Sequence, residues 1–158
     1  MIRSARMGDI QKIYNLLKYF ADKDLLLGRS LSSLYDQLRD FSVYVDNKAK
    51  DPDQEKLVGV CALHISWDNL AEIRSLAVVD GYHNKGVGRQ LVNKALVEAD
   101  SYGITRVFTL TYQPDFFRKL DFQDIDKSEL PHKVWSDCIN CSKFPDCNEE
   151  ALIWEKST

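Results

Sequence analysis

The chain has 158 residues, 44% of them hydrophobic and 28% charged, with a formal net charge of -3. This length predicts a single domain over residues 1–158 with a core large enough to need no disulfide staples, and this charge argues against a nucleic-acid partner, so that any anion site must be local. No apolar run has the length of a membrane span and MIRSARMGD lacks the apolar heart of a signal peptide, which makes a cytoplasmic protein with no membrane partner the expectation.

MIRSAR alternates and predicts a first strand. MGDIQKIYNLLKYFADKD follows with Ile10, Ile13, Leu16, Leu17 and Phe20 at helical spacing and Asp9 as its cap. The pattern breaks at Gly28 in LLLGRS and resumes in SLSSLYDQLRDF through Leu31, Leu34, Tyr35 and Leu38. FSVYVD alternates as a strand, NKAKDPDQEK is a polar hairpin turn, and LVGVCALHISW and LAEIRSLAVVD are apolar and β-branched, as strands require.

A glycine turn then leads into a helix from about Gly86 to Tyr102, with Val87, Leu91, Val92, Ala95, Leu96 and Ala99 on its apolar stripe and Gly103 at its end. TRVFTLT is a strand, and Pro114 in PDFFRKL suits the first turn of a helix. DFQDI and EEALIWEK close the chain as strands around an irregular stretch. The order β-α-α-β-β-β-α-β-α-β-β is that of a mixed α/β domain with a central sheet.

The turn carries the chemistry. A helix N-terminus offers unpaired N–H groups and positive dipole, and glycines remove the bulk that would keep a phosphate from the backbone. HNKGVG, with Lys85 and Arg89 beside the glycines, thus predicts a phosphate or pyrophosphate cradle over residues 84 to 89. It is neither a P-loop nor a G-x-G-x-x-G motif, and the same glycines also suit a tight strand-to-helix turn that serves packing alone.

In its context the turn resembles that of the GNAT superfamily of acyl-CoA-dependent N-acetyltransferases, whose pyrophosphate loop reads Arg/Gln-x-x-Gly-x-Gly/Ala after the fourth strand. His83, Asn84, Lys85, Gly86, Val87 and Gly88 fill that slot, with Arg89 following, and FFRKLDF resembles the Phe-Tyr-x-x-x-Gly-Phe signature. The resemblance implies a central, mostly antiparallel sheet flanked by about four helices, with acetyl-CoA as cosubstrate. Two departures stand out: His83 replaces Arg or Gln, and Phe117 occupies the place of the tyrosine that protonates the leaving thiolate.

Three blocks, LLLGRSLSSLYDQLRDFSVYV, AEIRSLAV and QPDFFRKLDFQDIDKSELPHKVWSDCINCSKFPDC, are similar to the short, stand-alone N-acetylglutamate synthases of bacteria. That likeness implies acetyl transfer to the α-amine of L-glutamate, the entry step of arginine biosynthesis, with glutamine or another amino acid as the related acceptor. A dimer is common in the family. No amino-acid-kinase-like domain precedes this one, so the arginine feedback site of the longer synthases is not expected.

Aminolysis of a thioester needs a base for the incoming ammonium and N–H donors for the carbonyl oxygen, but no covalent enzyme intermediate. Glu72 in AEIRSLAV stands where the family often has a catalytic glutamate. A solvated carboxylate, or an ion pair with Arg74 on the same strand face, is the alternative. The resemblance makes Leu76, Ala77 and Val78 the backbone that pairs with the pantetheine arm. Tyr112 is the tyrosine nearest the missing acid, with water or a packing role as its alternatives. Glutamate calls for cations that bind carboxylates. Arg29 lies where such synthases carry a substrate-binding arginine, Arg74 and Ser75 sit on the strand facing the acetyl group, and Lys133 falls in the segment expected to cover the substrate. This set favours an anionic acceptor over a polyamine. A non-catalytic acyl-CoA-binding or sensor domain is the competing class, favoured by His83 and Phe117.

His132, Cys138, Cys141 and Cys147 are spaced H-x5-C-x2-C-x5-C. In a reducing compartment clustered thiols suggest a structural zinc before a disulfide. A lid of small buried cysteines and a redox-sensitive pair are the alternatives.

Overall fold

In the computed structural model, which describes residues 1–46, 54–132, 134 and 149–157, the alternating segments become one sheet of seven strands. These are β1 (Ile2–Ser4), β2 (Phe41–Asp46), β3 (Lys56–Trp67), β4 (Leu70–Val78), β5 (Arg106–Thr111), β6 (Gln123–Asp124) and β7 (Glu150–Glu155), in the order β1-β2-β3-β4-β5-β7-β6. Every pairing is antiparallel except that of β4 with β5. Four helices flank the sheet: α1 (Ile10–Ala21), α2 (Leu31–Asp36), α3 (Val87–Ser101) and α4 (Pro114–Arg118). Sequence and structure agree on this mixed α/β architecture and on the order of its elements.

Each helix exists because one stripe is buried. Ile10, Ile13, Leu17 and Phe20 of α1 join Phe41, Val43, Val45 and Val60 in a core on one face of the sheet. Val87, Leu91, Val92, Ala95 and Ala99 of α3 pack with Cys61, Leu63, Ile73 and Phe117 on the other. A third cluster, built on Leu70, Phe108, Leu130, Val134 and Ile153, covers the sheet toward its far edge. The α3 axis comes close because β3 carries Gly59, where a Cβ would stand 2.9 Å from both Leu91 Cδ1 and Val87 Cγ1.

The helix ends follow familiar chemistry. Ser30 caps α2 by accepting from the Ser33 N–H at 3.1 Å. Gly103, at φ +77°, closes α3 while Ile104 N–H reaches back to Ala99 O at 2.9 Å.

Asp9 departs from its expected role. Its side chain makes no cap bond to α1. The carboxylate turns back, accepting from Arg6 N–H at 2.8 Å and from both terminal nitrogens of Arg3 at 2.7 and 3.0 Å. The short turn Met7–Asp9 precedes the helix, so the N–H groups an Asp9 cap would serve are replaced by a better, charged donor. The second helix also ends earlier than its spacing suggests, at Asp36, and a separate turn over Leu38–Asp40 leads into β2.

Candidate functional site

Two irregularities in β4 open the site. Pairing with β3 runs Val60 with Ala77 but Ala62 with Arg74, so one extra residue bulges from β4. Ser75 lies in that bulge with φ +54°. Pairing with β5 extends only over Ala71–Ile73 against Val107–Thr109. Thr109 donates from Oγ1 to Ile73 O at 3.0 Å at the fork, and beyond it β4 and β5 separate.

The wedge between them is part of a cleft of about 560 Å³. Arg74, Ser75, Leu76, Ala77 and Val78 form one wall, and Thr111, Tyr112, Gln113, Phe116 and Phe117 the other. His83, Asn84, Gly86, Val87, Gly88 and Arg89 close one end, with Phe20, Leu25 and Leu26 along the rim. Most of the residues proposed for the acyl carrier are thereby brought to one cavity. Lys85 is not in its wall; its ammonium lies 5.4 Å from the centre of the Tyr82 ring.

The glycine turn folds as its residues require. Asn84 and Gly86 are left-handed, at φ +62° and +80°. Gly88 faces α4, where a Cβ would meet Phe116 Cζ at 3.2 Å. Lys85 and Arg89 are exposed and form no ion pair with any described residue. His83 donates from Nε2 to Val78 O at 2.7 Å and stacks on Phe20, with centroids 6.2 Å apart. Its ring thus ties the turn to the end of β4.

Glu72 and Arg74 occupy the sheet face away from α3. Arg74 Nε donates to Glu72 Oε1 at 2.6 Å, and Glu72 is only 8% exposed. The ion pair weighed from sequence is therefore present. Strand register places Phe108 and His64 beside Glu72 and Ala62 beside Arg74. The pair sits between the α1 core and the far-edge cluster, and Arg74 also reaches the cleft wall.

Arg29 comes to the same face from the break between α1 and α2. Its guanidinium donates to Ser33 Oγ at 2.7 Å, to Ser75 Oγ at 3.5 Å and to Gln37 Oε1, and lies over the Phe41 ring at 5.2 Å. These partners are neutral, and among the described residues no carboxylate lies within ion-pair distance of it. Burial lowers its pKa, the nearby Arg74 charge lowers it further, and Asp40 and Glu72 act in the opposite direction.

Three features went unread in the sequence. His64 Nδ1 donates to Asp40 Oδ2 at 2.8 Å, next to Glu72. Gly59 admits α3, and a glycine inside the apolar run LVGVCAL is the signal for such an approach. Glu149, buried at 9% exposure, is a cleft-wall residue, and nothing in EEALIWEK separates it from Glu150.

The tyrosine position of the family signature is occupied by Phe117, which has no hydroxyl and packs edge-on against Phe116 and Phe122 at 5.1 and 5.2 Å. Tyr112 presents a buried hydroxyl in the opposite wall from β4. Cys61 is a core residue whose thiol is pushed up to about 12 by burial, which suits packing and not nucleophilic attack. Lys133, Cys138, Cys141 and Cys147 lie outside the described residues. Among the described residues no three His, Cys, Asp or Glu side chains gather as metal ligands, and no helix is long and apolar enough to cross a membrane.

Comparison with known proteins agrees with this geometry. The Acetyltransferase (GNAT) family model matches residues 10–122. An uncharacterized N-acetyltransferase of Chlorobaculum tepidum is 37% identical over 152 residues, 96% of this chain and 94% of its own length. An amino-acid acetyltransferase of Mycobacterium tuberculosis is 33% identical over 138 residues, 87% of this chain and 76% of its own. Among solved structures, a Mycobacterium tuberculosis protein in complex with CoA and NLQ matches with a TM-score of 0.80 and 28% identity over 99% of both chains. N-acetylglutamate synthase from Neisseria gonorrhoeae, complexed with coenzyme A and N-acetyl-glutamate, matches with a TM-score of 0.84 and 25% identity, over 100% of this chain and 35% of that one. With its forked sheet and glycine turn, the chain belongs to the Acetyltransferase (GNAT) family and is an acyltransferase that takes acetyl-CoA as cosubstrate.

Proposed function

We propose that the chain transfers the acetyl group of acetyl-CoA to the α-amine of L-glutamate. The observation that carries this acceptor is Arg29, a half-buried guanidinium held by Ser33, Gln37 and Ser75 with no carboxylate in ion-pair reach among the described residues. A cation placed this way suits a ligand carboxylate, and Arg74 offers a second. The relatives named amino-acid acetyltransferase and the synthase bound to N-acetyl-glutamate support the same substrate class.

In this reading the pyrophosphate of coenzyme A rests on the turn from His83 to Arg89, on backbone N–H groups and two local cations. The pantetheine arm runs along Leu76, Ala77 and Val78, where β4 has left β5 and its edge is open to a new partner. Glu72, oriented by Arg74 and set back from the cleft wall, removes a proton from the acceptor ammonium through water. The nitrogen attacks the thioester carbon, a C–N bond forms, and the C–S bond breaks. Tyr112 or water protonates the thiolate, and the phenolate or hydroxide left behind takes the second proton from the nitrogen. The chain acts as one domain over residues 1–158, in the cytoplasm, at the first step of arginine biosynthesis.

Arg29→Ala tests the acceptor site. The KM for glutamate should rise about tenfold to a hundredfold, the worth of a charge-assisted hydrogen bond, while the KM for acetyl-CoA stays near its original value. Equal rises in both would remove Arg29 from the acceptor site.

A further inference from the structure

An α-amino-acid acceptor brings an ammonium as well as a carboxylate, so its site needs an anion that the arginines do not supply. Glu72 does not form part of the cleft wall. Among the described residues, the carboxylate in the wall is that of Glu149.

Its position follows from the sheet. β5 and β7 pair antiparallel up to Thr111 with Glu150, so Glu149 comes opposite Tyr112, one step past the last pair. That is the open end of the fork, where Arg74, Ser75, Tyr112 and Gln113 also meet the cavity. Glu149 is 9% exposed, and a carboxylate withdrawn from water is costly unless charge or hydrogen bonds compensate it. A ligand ammonium in the cleft would add such compensation.

We propose that Glu149 is a substrate-recognition residue whose carboxylate binds the α-ammonium of the amino-acid acceptor and holds its nitrogen in the cleft. The assignment rests on the amino-acid acceptor proposed above. Glu149 carries no proton in it; the ion pair positions the nitrogen, and Glu72 remains the base.

The test compares the purified full-length wild type with Glu149→Gln, using acetyl-CoA, L-glutamate, and glutarate as a competitive inhibitor. Glutarate has both carboxylates and no ammonium. The KM for glutamate should rise about tenfold in Glu149→Gln, whereas the inhibition constant of glutarate and the KM for acetyl-CoA should not rise. A merely structural role would weaken glutamate and glutarate together, and that result would overturn the assignment, as would an unchanged glutamate KM. If Glu149→Gln does not fold, Glu149→Asp shortens the side chain and keeps the charge: the KM for glutamate should change while the inhibition constant of glutarate stays near its wild-type value, and a change for glutarate as large as that for glutamate, or no change for glutamate, overturns the assignment. A wild type that releases no thiol with any amino acid overturns the acceptor reading and this assignment together. Normal wild-type turnover with an unselective variant overturns this assignment alone.

Discussion

Asp9 shows how much one buried carboxylate does. Burial works against its charge, but the Arg3 hydrogen bonds and the Arg6 N–H outweigh it, so its pKa lies below the ordinary carboxylate value. A group with a depressed folded pKa contributes stability above its unfolded pKa and loses it as pH falls through the folded one. Asp9→Asn should therefore lower stability near neutral pH by on the order of 1–3 kcal/mol, a difference that shrinks below about pH 4. Urea unfolding at several pH values measures it, and a gap that stays constant into acid would contradict the linkage. The sequence offered Asp9 as a helix cap because Asp before an apolar periodic run usually is one. What it did not show is Arg3, six residues back, donating to the same carboxylate.

At the scale of elements, glycines decide how closely pieces approach. Gly59 on β3 lies under Val87 and Leu91 of α3, and both side chains are fixed in a packed core. Gly59→Ala should cost about 1–3 kcal/mol and lower Tm by several degrees. Thermal unfolding checks this, and an unchanged Tm would mean that α3 can lift without loss. Gly86 differs, since its Cβ would meet nothing nearer than Gln90 Nε2 at 3.7 Å, but its φ is +80°. Gly86→Ala should cost about 1–2 kcal/mol through backbone strain and raise the KM for acetyl-CoA more than that for glutamate. The glycine turn was legible because its residues carry a backbone conformation. The bulge at Ser75 was not, since it exists only in the register of β4 against β3.

For the whole molecule, the order of elements could be read from hydrophobic period together with glycine, proline and polar turns, and the structure keeps it. The cavity could not. It requires β4 to leave β5 after Ile73, and β7 to return beside β5 and bring Glu149 to Tyr112. Neither is a local pattern. The polar patch of Arg29, Glu72, Arg74 and the Asp40–His64 pair is likewise assembled from four separate segments, between apolar clusters that each look complete in sequence. The likeness to known synthases named Arg29, Glu72 and Arg74 where spacing could not, but it gave no hint of Glu149.

The measurement that bears most directly on this account is release of free thiol from acetyl-CoA across the twenty amino acids, with glutamate and glutamine at several concentrations. Saturable release with glutamate, abolished or weakened through the glutamate KM in Arg29→Ala, is the expected result. Saturable release with a cationic or apolar amine and none with glutamate would contradict the acceptor site proposed around Arg29 and Arg74.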